Sequence, residues 1–142
     1  MVIVKPLVGS FVVVLLLAFA VYAEVDCQIN TGPCIKQIPH DRVQITFDIN
    51  PKPVKFMEEL TFRITLIQDA KPIGDAKVTM DLTMPGMFMG KNSPVIKHVK
   101  EGVYEGKGVI PRCPSGRKVW RAAVSIERGG KTASVDFTFE GK

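Results

Sequence analysis

Chemistry-bearing side chains are most concentrated in Met84-Pro85-Gly86-Met87-Phe88-Met89-Gly90. Proline second and glycine third is the signature of a type II turn, which brings Met84 and Met87 within about 7 Å at their Cα atoms. Met87 and Met89 lie two apart and share a face if the chain resumes as a strand. Three thioethers then converge, with His98 on the next predicted strand as a fourth donor. Soft sulfur selects Cu(I), and imidazole also binds copper. Met84, Met87, Met89 and His98 are therefore a candidate copper site. Packing competes with that reading. Methionine fills irregular gaps, Met80 and Met84 continue the inward series from Val78, and Lys97 and Lys100 flank His98 as they would a surface residue.

Other chemistry is scarce. His40, between Pro39 and Asp41, reads as a loop residue, and no serine or cysteine has a recognisable nucleophile setting. Gly130-Lys131-Thr132 looks like the end of a phosphate-binding loop, but Ser125 stands where that motif needs its first glycine. Glu58-Glu59 marks a solvated strand entrance. The domain reads as non-enzymatic.

Of the three cysteines, Cys27, Cys34 and Cys113, none forms a C-x-x-C pair. That argues against structural zinc and thioredoxin-type redox centres. In an oxidising compartment two distant cysteines are naturally a staple. Cys34–Cys113 is the favoured pairing, stabilising by about 4 kcal/mol on the chain-entropy model. It leaves Cys27 as an odd thiol with redox work open to it. Cys27–Cys34 is a rival pairing that sequence leaves open.

These residues need elements to position them. Residues 7–23 carry no charge, Lys5 precedes them, and Val21-Tyr22-Ala23 supplies small residues at the −3 and −1 positions of a cleavage site. Residues 1–23 therefore read as an export signal, with an uncleaved anchor helix as the alternative. Export places the chain in the periplasm or another extracytoplasmic space, and at a membrane only if the segment is retained. Residues 24–42 form a turn-rich loop region, and 43–142 the folded domain. Apolar and polar residues alternate in that domain with the period of half-buried strands. The runs are Val43–Ile49, Leu60–Leu66, Ala76–Met84, Val95–Val99, Gly102–Ile110, Trp120–Ile126 and Val135–Phe139. About seven strands separated by turns predict an all-β, immunoglobulin-like antiparallel β-sandwich. Tyr104 and Trp120 are expected in its core or at its edge.

Composition agrees with one such domain. The chain has 142 residues, 46% hydrophobic and 23% charged, which excludes a multidomain enzyme and a disordered tail. Net charge is +5, one unit of it from Lys5. The lysines are scattered, whereas a nucleic-acid surface needs a dense basic patch with interleaved aromatics.

Several of these segments together resemble one family. They are Val78-Thr79-Met80-Asp81-Leu82-Thr83-Met84-Pro85-Gly86-Met87-Phe88-Met89-Gly90, then Gly102-Val103-Tyr104-Glu105-Gly106, Trp120, Gly130-Lys131 and Phe137-Thr138-Phe139. Over residues 43–140 the chain is similar to the YtkA-like domain family, to which FixH-like proteins are related. The resemblance implies a small exported or membrane-anchored β-sandwich, like copper-handling sandwich domains. Some relatives are linked to metal efflux or to assembly of copper-containing oxidases. The family's methionine motif falls on Met84, Met87 and Met89. Arg112-Cys113-Pro114-Ser115-Gly116-Arg117, with Gly32-Pro33-Cys34, looks like a subgroup feature and supports the Cys34–Cys113 pairing. The expected function is weak Cu(I) binding or buffering in the cell envelope. The alternative is a metal-free accessory module whose methionine-rich tip docks an envelope protein.

Overall fold

The structure, a computed structural model, describes Ile3 and residues 24–142. The export signal or anchor expected over 1–23 lies outside the described stretch. Nine strands follow in chain order: β1 (Cys34–Gln37), β2 (Val43–Asn50), β3 (Glu59–Gln68), β4 (Lys71–Pro72), β5 (Lys77–Thr83), β6 (Lys97–Lys100), β7 (Val103–Val109), β8 (Val119–Arg128) and β9 (Lys131–Glu140). All pairings are antiparallel. One sheet runs β1-β2-β3-β7-β6 with β4 on β3, and the other runs β5-β8-β9. No helix occurs among the described residues.

The alternation explains both the strands and their packing. Val43, Ile45, Phe47 and Ile49 on β2 are buried, as are Val78, Met80 and Leu82 on β5 and Trp120, Ala122 and Val124 on β8. Each of these strands turns one apolar face inward, and a single cluster collects the inward faces of both sheets. Phe47 of one sheet stacks on Phe137 of the other with ring centroids 5.0 Å apart. Burying a large apolar side chain stabilises by about 1.5–3 kcal/mol, so this shared face is the main source of stability.

The Gly-x-Tyr-x-Gly segment ties the layers together. Buried Tyr104 donates its hydroxyl to the Ile73 carbonyl (2.9 Å) and accepts from the Ala76 amide (3.1 Å). The chain leaving β4 for the second sheet is thereby fixed to β7. The flanking glycines permit close backbone approach. A Cβ on Gly102 would stand 2.3 Å from the Leu66 carbonyl oxygen, and one on Gly106 2.4 Å from that of Val95. The Gly130-Lys131-Thr132 segment is a hairpin, with Gly129 and Gly130 at positive φ joining β8 to β9.

Two expectations need correction. Seven strands become nine, because residues 34–37, expected in a loop, form edge strand β1, and Lys71–Pro72 adds a short pairing on β3. The disulfide is Cys27–Cys34, not Cys34–Cys113. The reason lies in where the N-terminal arm docks. The Asp26 and Cys27 amides both donate to the Thr138 carbonyl (3.0 and 2.9 Å), and the Asp26 carboxylate accepts from the Thr138 amide (2.8 Å). Lys36 on β1 pairs with Asp26 at 2.5 Å and also reaches the Asp136 carbonyl. Arm and β1 thus meet beside β9 and bring Cys27 to Cys34. Cys113 lies beyond β7 in a different loop, and it, not Cys27, is the free and buried thiol.

Candidate functional site

Antiparallel pairing of β5 with β8 builds the site. Thr83 at the end of β5 lies across from Arg121 near the start of β8. The loop leaving β5 must therefore run beside the loop entering β8. The first carries the methionine motif and the second carries Cys113.

Met84-Pro85-Gly86-Met87 forms the expected turn. The Met87 amide donates to the Met84 carbonyl at 3.1 Å, the two residues form an isolated antiparallel bridge, and Gly86 has φ 78°. Proline before a positive-φ glycine defines type II. The turn also divides the methionines. Met84, 3% exposed, prolongs the inward face of β5 and belongs to the core. Met87 and Met89 are half-buried at the rim, and Phe88 between them is 91% exposed.

In the neighbouring loop, Cys113-Pro114-Ser115-Gly116 closes a second turn, with the Gly116 amide donating to the Cys113 carbonyl at 3.0 Å. Proline second and glycine fourth suit a type I turn. The turn holds the thiol against the methionine loop. Cys113 Sγ lies 3.2 Å from Met87 Sδ, as S–H donor to the thioether, and 3.0 Å from Ser115 Oγ. The Ser115 hydroxyl bond lowers the Cys113 pKa from its ordinary 9.0; burial opposes this, while the Ser115 and Arg117 amides and the Arg117 charge assist it. Arg117 stands over the methionine turn, its Nη1 3.3 Å from where a Cβ on Gly86 would be.

His98 does not join this group. Its Nε2 is 2.6 Å from the Glu101 carbonyl oxygen and its ring is 5.1 Å from that of Tyr104. It packs beside Gly74, before β5 begins, while the methionine turn follows β5's end. The strand between them is roughly 20 Å long. Cys113, assigned to a disulfide from sequence, is the residue that sequence reasoning missed. The signal was available in its Pro-Ser-Gly turn, once β5 and β8 are recognised as neighbours. Among the described residues no group of three His, Cys, Asp and Glu side chains could hold a metal ion. The convergent donors at this end are sulfurs.

Fold and site define an all-β antiparallel domain with a sulfur-bearing turn at one end. A YtkA-like family model matches residues 39–111, just over half the chain, and the chain belongs to that family. Among solved structures it is similar to a DUF4785 family protein from Legionella pneumophila, at 17% identity and a TM-score of 0.55. The match covers 72% of this chain and 29% of that one, so the chain spans under a third of that neighbour's length. At this identity the likeness concerns the fold. Comparison with curated proteins finds no match.

Proposed function

We propose that this YtkA-like chain is an exported, non-enzymatic binding module, an immunoglobulin-like β-sandwich that takes Cu(I) weakly at its methionine turn in the cell envelope. One observation carries the reading: the turn holds the half-buried Met87 thioether at the rim, beside a second sulfur. Soft, polarisable donors at an accessible end suit a soft cation. The test is titration with Cu(I) against a chromophoric chelator, comparing the wild type with a Met84/Met87/Met89→Leu variant. Stoichiometric uptake lost in the variant supports the reading. Equal, negligible uptake by both refutes it.

A second reading is favoured by Phe88, 91% exposed between two half-buried methionines with no histidine in reach. The same tip would then be an apolar contact for an envelope protein, since methionine surfaces adapt to partners. A Phe88→Asp change that releases a cross-linked partner, with the Cu(I) titration unchanged, would establish docking. The same partner retained in that variant would exclude it.

A further inference from the structure

We infer that the primary Cu(I) ligands are the Cys113 thiolate and the Met87 thioether, two sulfurs from separate loops. This deepens the proposed function and rests on it. The two donors are 26 residues apart in sequence and 3.2 Å apart in space. Neither loop alone supplies the pair; the β5–β8 register does.

Three observations make Cys113 the anchor. First, it is unpaired, because Cys27 and Cys34 are bonded to each other. Second, the Cys113 turn sets the Ser115 hydroxyl 3.0 Å from Sγ, a donor already in place for the sulfur that binds metal. Third, Arg117 overhangs the turn. A cation held only by neutral thioethers would face that guanidinium uncompensated, whereas a thiolate cancels the ion's charge. Removing an unpaired charge from water is costly, so a three-methionine site is the weaker design here.

The geometry allows the change that binding requires. Thiolate bonds to a d10 ion such as zinc are about 2.3 Å long, and two sulfurs on one trigonal ion of that size stand about 4 Å apart. The pair must open by about 0.8 Å from its present contact. Met87 can supply that movement, being half-buried and unbranched with three rotatable bonds. In the binding step the S–H bond of Cys113 breaks, its proton passes to solvent, and a copper–sulfur bond forms from the lone pair released. Copper enters and remains as Cu(I), so no electron is transferred.

The test uses the full chain with its disulfide intact, ascorbate holding copper as Cu(I), and chelator competition. Wild type is compared with Cys113→Ser, Met87→Leu, Met84→Leu/Met89→Leu and His98→Ala. Changes outside the ligand shell cost roughly 10–100-fold in metal affinity. We expect Cys113→Ser to lose more than that, Met87→Leu at least tenfold, and His98→Ala nothing. Binding by wild type should bring a thiolate-to-copper ultraviolet band that Cys113→Ser lacks. Wild-type affinity in Cys113→Ser overturns the inference, and with loss in the methionine variants it leaves the proposed function standing. No uptake by wild type overturns both. If Cys113→Ser fails to fold, the wild type still decides: copper bound without the ultraviolet band overturns Cys113 as ligand.

Discussion

Removing the Cys27–Cys34 bridge tests the arrangement that leaves Cys113 free. The bridge spans seven positions of sequence, and closing so short a loop stabilises by roughly 2–3 kcal/mol on the chain-entropy model. Cys27 is also in the core at 1% exposure, so truncating it to alanine adds about 1 kcal/mol of lost burial. The Cys27→Ala/Cys34→Ala variant should therefore lose about 3–4 kcal/mol. With a urea m-value of about 1.5 kcal/mol/M, its unfolding midpoint should fall by about 2 M. Cys113→Ser keeps a hydroxyl within reach of Ser115 and should cost under about 1 kcal/mol. A Cys34–Cys113 bridge would instead be lost in both variants, and the two would fall by similar amounts. Its loop is about ten times longer and would contribute roughly 4.5 kcal/mol, all of it lost in Cys113→Ser. The assay is urea unfolding of the three proteins without reductant, with thiol labelling of the denatured chain. Equal losses in both variants, or label on Cys27 instead of Cys113, would refute the arrangement.

Three further outcomes follow from the same contacts. Tyr104→Phe removes a hydroxyl that satisfies the Ile73 carbonyl and the Ala76 amide; it should cost about 1–3 kcal/mol in urea unfolding and speed hydrogen exchange at the Ala76 amide. Gly106→Ala should cost about 1–3 kcal/mol, because its Cβ would meet the Val95 carbonyl at 2.4 Å, while Gly32→Ala, with nothing within 4 Å, should change stability little. The Cys113 pKa is lowered in the folded state, so the thiolate's contribution is full above the ordinary value of 9.0 and is lost as pH falls through the folded value. The stability difference between wild type and Cys113→Ser should therefore rise with pH up to 9.0, and a flat difference would contradict that sign.

Strands with a core-facing apolar series were legible in the sequence; β1 and β4, which lack one, were not. β2, β3, β5 and β8 alternate strictly, and their burial follows the same period. β1 offers no such series. Its Ile35 is exposed, and Cys34 and Lys36 are half-buried. Backbone pairing to β2 and the Asp26–Lys36 contact hold it, and neither leaves a hydrophobic pattern. β4 is two residues long and includes a proline. The Gly102-Val103-Tyr104-Glu105-Gly106 motif could be recognised but not explained, since its cause is contact with Leu66, Ile73 and Val95, all distant in sequence.

The methionine motif shows the limit at the site itself. Packing and metal binding look like rival accounts of one run of residues, yet the type II turn separates a buried Met84 from half-buried Met87 and Met89, where the proposed site would lie. Before the turn, Met80 and Met84 obey the strand's period and enter the core. At the turn the chain reverses, with Gly86 at positive φ, and Met87 is delivered to the rim opposite a loop some 26 residues later. Local spacing predicts the reversal but cannot say what lies across from it. That depends on the β5–β8 register, a pairing between segments about forty residues apart. It also depends on the arm that claims Cys34 for Cys27. The free thiol beside Met87 is thus a product of tertiary structure, and a ligand set drawn from adjacent residues would omit it.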